Sequence, residues 1–413
     1  MVKPGYKQTE VGVIPEDWEC TLLLDRASLL NGLTYTPDNV KDNGLLVLRS
    51  SNIRNNQLSL EDTVYVDCTV EDEKKIKTGD ILVCVRNGSA ALIGKCAQAN
   101  QDYDATIGAF MAVLRGEHND YINQILQQGT IQKEISKNSG ATINQITNGD
   151  FKRIRIALPT SGAEEFAIAQ SLSTVDKLFS TYEKLIAKKR AIKQGAMQEL
   201  LTGKKRLPGF SGEWINFNLM KHSKIKARIG WQGLKKSEYL DSGYALLITG
   251  TDFDDGKVQW DSCHYVTRSR YDQDRNIQIQ NNDILITKDG SLGKAALVQG
   301  LTKPATLNSG IFVIRPMQNA YDPVFVYHIL SSFVFKDFLD KLSAGSTIIH
   351  LYQKDICKFE FLLPPTIEEQ EAIAALLSEM DSEIEALQQK LEKYRQIKQG
   401  MMQQLLTGKI RLV

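Results

Sequence analysis

Ile192-Lys193-Gln194-Gly195-Ala196-Met197-Gln198-Glu199-Leu200-Leu201-Thr202-Gly203-Lys204 decides the fold, because it returns as Ile397-Lys398-Gln399-Gly400-Met401-Met402-Gln403-Gln404-Leu405-Leu406-Thr407-Gly408-Lys409. Working outward, the match extends without a gap over Glu164–Leu207 and Glu369–Leu412, with about half of the positions identical. The offset is constant at roughly 205 residues, so the chain is an internal repeat before it is anything else.

Both copies have the pattern of one long helix. Ile168, Leu172, Val175, Phe179, Tyr182 and Ile186 step by alternating four and three, as do Ile373, Leu377, Met380, Ile384, Leu387, Leu391 and Tyr394. Such steps average about 3.5 residues and hold an apolar seam on one side of a helix, where a partner helix can cover it. Two helices each lying on its own globular domain would give the same spacing. Packing of the two copies on each other is the expectation, because neither seam can be buried alone.

The repeat continues outside the helices. Ile14-Pro15-Glu16-Asp17-Trp18 and Leu207-Pro208-Gly209-Phe210-Ser211-Gly212-Glu213-Trp214 each lead through a turn to a tryptophan. Leu45–Leu48 corresponds to Ala245–Ile248, Val64-Tyr65-Val66 to Tyr265-Val266, and Asp80–Val83 to Asp283–Ile286. A glycine loop follows in each, Arg86-Asn87-Gly88-Ser89 with Gly94-Lys95 against Lys288-Asp289-Gly290-Ser291 with Gly293-Lys294. Thr106–Arg115 and Thr306–Arg315 each read as one buried strand, followed by helices around Tyr121–Ser136 and Pro323–Leu342. Gly140-Ala141-Thr142-Ile143 then matches Gly345-Ser346-Thr347-Ile348, and strands end at Leu158-Pro159 and Leu363-Pro364. The expected fold is therefore α+β and internally duplicated: domains at 1–160 and 207–365, helical regions at 161–206 and 366–413. The helices are kept alike while the loops diverge on a shared strand skeleton. Two readers of two different ligands would need that contrast; a repeat serving stability alone would not.

Composition narrows the function. At 413 residues, 42% hydrophobic and 24% charged, the chain has room for several cores and has the make-up of a soluble globular protein. No apolar run approaches the roughly 18 residues of a membrane span, and Met1-Val2-Lys3-Pro4-Gly5-Tyr6 has no hydrophobic signal region. The six cysteines form no Cys-x-x-Cys pair, which suits reduced thiols and a cytoplasmic location. A net charge of +1 means that any nucleic-acid contact is local or shared with partner subunits.

Catalytic patterns are missing where they would be needed. None of Gly94-Lys95, Gly203-Lys204, Gly293-Lys294 and Gly408-Lys409 precedes Ser or Thr, so none is a phosphate-cradling loop. Gly203 and Gly408 are better placed as helix C-caps. No Gly-x-Gly-x-x-Gly supports a dinucleotide fold, and the apolar Leu362-Leu363 before Pro364-Pro365 is unlike an amino-methyltransferase motif. Five scattered histidines give no metal set. Asp38 with Asp72-Glu73-Lys74 could be assembled into a nuclease site, but a surface turn and a solvated charge run explain those residues better.

On the repeated helix endings, the Pro159 and Pro364 approaches leading to Glu165 and Gln370, Ile14–Trp18 and Asp80–Val83, the whole chain resembles the specificity subunit of type I restriction–modification systems. The resemblance implies two α/β target-recognition domains separated by two long helices that form an antiparallel coiled coil. Each domain would read one half of a bipartite, asymmetric site in double-stranded DNA. The coil would set the spacing and dock two methyltransferase (modification) subunits, with restriction subunits joining through the complex. The chain would then be non-catalytic, and S-adenosylmethionine, ATP and Mg would be used by the partner subunits. Base reading needs polar side chains on loops. The candidates are Arg49, Asn52, Arg54, Arg86, Asn87, Ser89 and Lys95 in the first domain, and Thr249, Lys257, Lys288, Ser291, Lys294, His350 and Tyr352 in the second. Lys188-Lys189-Arg190, Lys193 and Lys204-Lys205-Arg206 could balance phosphate or an acidic partner, or simply solvate a helix face. The competing class is a non-catalytic two-module adaptor with a coiled-coil spacer, which the divergent loops disfavour.

Overall fold

The computed structural model describes residues 2–129, 131–132, 145–343 and 350–412. The matched segments Gly140-Ala141-Thr142-Ile143 and Gly345-Ser346-Thr347-Ile348 lie outside the described residues. The chain divides into two units that cut across chain order: Met1–Lys184 with Gln389–Val413, and Leu185–Gln388. Each unit therefore combines one α+β domain with the first half of one long helix and the second half of the other.

In the first unit, an antiparallel four-stranded sheet runs in the order Cys96–Gln98, Ile81–Cys84, Met111–Arg115, Ser28–Asn31. A second sheet orders Ala105–Ile107, Leu45–Leu48, Val64–Val66 and Val40–Lys41, with the first pair parallel. The expected single strand Thr106–Arg115 is thus two strands in two sheets, broken at the turn Gly108-Ala109-Phe110. In the second unit the break recurs at Asn308-Ser309-Gly310, between Ala305–Leu307 and Ile311–Pro316. Glycine and asparagine at this point are turn residues inside a run otherwise apolar enough to read as continuous strand. The rest of the second unit follows suit. A six-stranded sheet is centred on Ile284–Thr287, and a three-stranded sheet pairs Ala245–Ile248 with His264–Val266 and, in parallel, with Ala305–Leu307.

The same arginine–aspartate lock fixes the main sheet twice. Arg115 forks onto Asp80 at 2.7 and 2.6 Å, and Arg315 onto Asp283 at 2.6 and 2.7 Å. Both aspartates are buried just before their strands, where an unpaired carboxylate would be costly.

The long helices span Gly162–Leu200 and Ile367–Leu405. Antiparallel strand pairs bring each domain's ends to them: Glu19–Leu22 with Arg155–Leu158, and Ile215–Asn218 with Glu360–Leu363. Gly203 and Gly408 follow the helix ends at φ +70° and +65°, a backbone region open to glycine. A Cβ on Gly408 would also lie 2.4 Å from Pro15 Cγ, so the helix end is pressed against the turn before Trp18.

Within each unit the two helix halves run in opposite directions. In the first, Glu183 accepts from Arg395 at 3.1 Å, Asp176 from Lys398 at 2.6 and 2.7 Å, and Glu164 from Arg411 at 2.5 and 2.8 Å. The Tyr182 and Tyr394 rings lie 5.5 Å apart between them. In the second, Lys189 pairs with Glu383, Lys193 with Asp381 and Arg206 with Glu369. Ile168, Leu172, Val175, Ile186, Ile373, Leu377, Ile384 and Leu391 are buried, while Phe179, Tyr182, Met380, Leu387 and Tyr394 are half-buried. Ile168 and Leu172 share one cluster with Trp18, Tyr121 and Leu158 of the domain and with Met402 and Leu405 of the other helix. Ile373 and Leu377 likewise pack with Phe325 and Leu363 and with Met197 and Leu200. The seam is covered by domain and partner helix together, so the two readings of the periodicity are not exclusive. Among the described residues no helix is long and apolar enough to cross a membrane.

Lys398 is 5% exposed and has Asp176 and Gln127 as its partners. Lys398→Ala is expected to destabilise the first unit by about 2–4 kcal/mol, because it leaves the Asp176 carboxylate half-enclosed and uncompensated. Lys189→Ala, which breaks a more exposed pair, should cost under about 1 kcal/mol. Urea denaturation of the two variants against the parent checks the contrast. His328, buried in the second unit beside Ser378, is pushed down from its ordinary value to about 3 by burial and by the Lys193 charge. It is neutral in the fold but takes up a proton in the unfolded chain below pH ~6.5, so stability is full above ~6.5 and falls as the pH drops towards 3. The slope is about 1.4 kcal/mol per pH unit. His328→Gln should remove that component, since Gln124 fills the corresponding helix position in the first unit; denaturation midpoints between pH 4 and 7 measure it.

Candidate nucleic-acid interface

Each domain grips its helix halves through the tip of a two-strand hairpin. In the first unit, the turn between Ile53–Arg54 and Gln57–Leu58 holds Asn55 and Asn56 at φ +49° and +58°. Asn55 donates to Glu183 at 2.9 Å, and Asn56 to Gln127 at 3.1 Å. In the second unit, the turn between Phe253–Asp254 and Lys257–Val258 places Asp255 near Arg190 and Lys257 on Glu385 at 2.5 Å. Gly256 lies so close to the helix Pro323–Leu330 that a Cβ would fall 1.8 Å from Tyr327 Oη. Lys257, read from sequence as a DNA contact, is a strap between domain and helix.

Several other candidates are occupied by the fold. The Asn52 side chain is buried and donates to the carbonyls of Ser59 and Asp62 at 2.9 and 2.8 Å, while its oxygen accepts from Arg49 N at 2.8 Å. Its role is to shape the loop. Asp252 is the matching residue in the second unit: buried, it accepts from the amide and hydroxyl of Thr249, itself buried, at 2.7 and 2.9 Å. Arg49 and Arg54 are paired with Asp62 and Glu61. Lys294 donates to the Phe253 carbonyl, although the side chain remains exposed.

A second set is gathered where the central strand of each main sheet ends. Around Ile81–Cys84 lie Arg86, Asn87 and Ser89, with Asn87 donating to Ser50 at 3.1 Å and accepting from Ser89 N at 3.0 Å. The Arg86 guanidinium lies 5.2 Å from the ring centre of Phe110, an exposed aromatic absent from the sequence candidates. Around Ile284–Thr287 lie Lys288, whose ammonium sits 5.4 Å from the Phe312 ring, Ser291, and His350 hydrogen-bonded through Nδ1 to Asp289. Tyr352, 56% exposed, has its ring 6.3 Å from that of His350 and 5.4 Å from the Lys354 ammonium.

Lys95 borders a cleft of about 1440 Å³ in the first unit together with Arg153, Arg155, Arg395, Lys398 and Lys409. Most of that positive charge is already matched: Arg153 by Asp150, Arg155 by Glu10, Arg395 by Glu183 and Lys398 by Asp176. Much of the basic run on the helices is answered in the same way. Lys189, Arg190, Lys193, Lys205 and Arg206 all have acidic partners inside the second unit. The half-buried pairs of the helices were missed from sequence, yet Asp176/Asp381 and Lys193/Lys398 are identical at repeat-equivalent positions.

A family profile for the "Type I restriction modification DNA specificity domain" matches residues 15–194 and again 231–394. The chain is 29% identical to a Methanocaldococcus jannaschii protein assigned as the MjaX type I restriction enzyme specificity subunit, over 99% of this chain and 97% of that one. It is 25% identical to the EcoKI specificity subunit of Escherichia coli K12, over 88% and 82% of the respective chains. Among solved structures, the S subunit of a type I system from M. genitalium superposes with a TM-score of 0.62, covering 97% of this chain and 98% of that one at 16% identity. A structure described as concerning assembly and conformational transition of the type I R-M system aligns with a TM-score of 0.54 over 96% and 99%, also at 16% identity. With its duplicated domains, paired helices and two profile matches, the chain belongs to the type I restriction–modification DNA specificity family.

Proposed function

We propose that this chain is the sequence-reading subunit of a type I restriction–modification complex. The first domain reads one half of a bipartite asymmetric site in double-stranded DNA, and the second reads the other half. The observation that carries this reading is the contrast between scaffold and loops. The locks Arg115–Asp80 and Arg315–Asp283, Arg411–Glu164 and Arg206–Glu369, and Lys398–Asp176 and Lys193–Asp381 are the same in both units. The loops at the strand ends keep Gly88-Ser89 and Gly290-Ser291 in common but present different groups around them, Arg86 against Phe110 in one and Asp289 against His350 in the other. A single chain with two matching frames can offer equivalent surfaces to two identical partners while carrying two different readers, which a true homodimer cannot do.

The partners are two methyltransferase subunits docked on the helices, with restriction subunits joining through the complex. S-adenosylmethionine, ATP and Mg belong to those subunits, and this chain contributes recognition and spacing but no chemistry. Helix length is the natural ruler: each helix has 39 residues, and a helix rises about 1.5 Å per residue.

Replacing residues 1–160 with the corresponding domain of a relative, in a strain that also makes the methyltransferase subunits, should alter one half of the methylated sequence and leave the other half and the spacer unchanged. Sequencing of methylated adenines reads the result. A change in both halves, or co-purification of the partners with no sequence-specific methylation, would favour a protein adaptor over a pair of DNA readers.

A further inference from the structure

Arg86 and Asp289 stand at the same place in the two units. In the first, Val85 donates its amide to Phe110 O at 3.0 Å and accepts from Ile146 N at 2.7 Å, and Arg86 then bridges Gln145. In the second, Lys288 donates to Gly310 O at 2.8 Å and accepts from Leu351 N at 2.8 Å, and Asp289 then bridges His350. The backbone register therefore aligns Arg86 with Asp289, one residue away from the alignment of the glycine loops by sequence motif.

The side chains at this shared position are opposites. Arg86 is exposed, and among the described residues it forms no ion pair; its guanidinium is held against the Phe110 ring. Phe110 is 56% exposed at the turn that carries the chain between the two sheets. Stacking on a ring orients a guanidinium and reduces the freedom it loses on binding, while leaving its donors available. In the second unit Gly310 replaces the phenylalanine, and a Cβ there would lie 3.5 Å from Asp289 Oδ2. The carboxylate takes that room. His350 Nδ1 fixes one of its oxygens, and both side chains keep substantial exposure, 41% for Asp289 and 52% for His350.

Resting on the DNA-reading role above, we propose that this position is a specificity determinant in each domain, with opposite hydrogen-bond polarity. Arg86 donates a fork of two N–H groups to O6 and N7 of a guanine in one half-site. Asp289, oriented by His350, accepts from the N4 amine of a cytosine in the other half-site. Each half-site then contains one G·C pair read from this point, from the guanine side by the first domain and from the cytosine side by the second.

The test is the set of methylated sequences produced by the full chain with its methyltransferase subunits, for the parent and for Arg86→Ala, Arg86→Lys and Asp289→Ala. Arg86→Ala should relax one G·C position in one half-site by about ten- to a hundredfold, with the other half unchanged. Arg86→Lys should relax the same position, because an ammonium keeps the charge but cannot make the planar fork. Asp289→Ala should relax one G·C position in the opposite half-site only. An Arg86→Lys profile identical to the parent would mean a phosphate contact and would overturn the proposal. So would relaxation at an A·T pair, or motifs unchanged in all three variants. Should Arg86→Ala fail to accumulate, the lysine variant decides alone. A parent chain that yields no bipartite motif refutes the DNA-reading role itself, which is a separate outcome from an intact motif indifferent to Arg86.

Discussion

A guanidinium forked onto a buried carboxylate closes each half of this protein. Arg411 binds Glu164 and also Asp17, with the Trp18 ring 5.9 Å from its guanidinium and the Trp18 N–H donating to Glu164 at 3.2 Å. Arg206 binds Glu369, with the Trp214 ring 5.9 Å away. Glu164 and Glu369 lie in the first turns of the long helices, and Arg206 and Arg411 lie just beyond their ends. One contact therefore fastens the start of one helix, the end of the other and the opening turn of a domain. Paired with Glu164 and Asp17, Arg411 is held above its ordinary range, and Asp17 is correspondingly held below its own. Without the arginine, a carboxylate with almost no exposure would be stranded, a loss of several kcal/mol. Lysine would not substitute well, because the fork and the stacking both depend on a planar cation.

That clasp explains why the structural units cut across chain order. Each domain is anchored to the beginning of the helix that follows it and to the end of the other helix copy. The hairpin straps at Asn55–Asn56 and Asp255–Lys257 then hold the domain from a second side. Between clasp and strap, the main sheets are fixed by the Asp80 and Asp283 locks. What remains free to vary is the strand-end loops, where the two units differ most. A frame this constrained tolerates changes of loop chemistry.

The duplication, the long helices, their seam and most strands were legible in the sequence, because period and identity report directly on repeated burial. Local pattern was blind to whatever depends on distant partners. Nothing adjacent to Lys257 announces that it meets Glu385, and nothing beside Asn52 announces that its amide is enclosed. The turn at Gly108-Ala109-Phe110 was absorbed into one long strand, because apolar residues on both sides outweighed a single glycine. The same misreading hid Phe110, and with it the one feature that separates Arg86 from the paired arginines Arg49 and Arg54. The polar pairs Asp176–Lys398 and Asp381–Lys193 were visible as identities between the repeats but unreadable as pairs, since pairing requires knowing that the helices run in opposite directions.

The most direct measurement is the methylated motif itself, obtained by sequencing modified adenines in DNA from cells that make the unaltered chain together with the methyltransferase subunits proposed as its partners. Two frames bearing different readers predict an asymmetric motif of two unlike specific segments separated by a spacer of fixed length. A continuous motif, a palindrome of identical halves, or modification that does not depend on this chain would contradict the account.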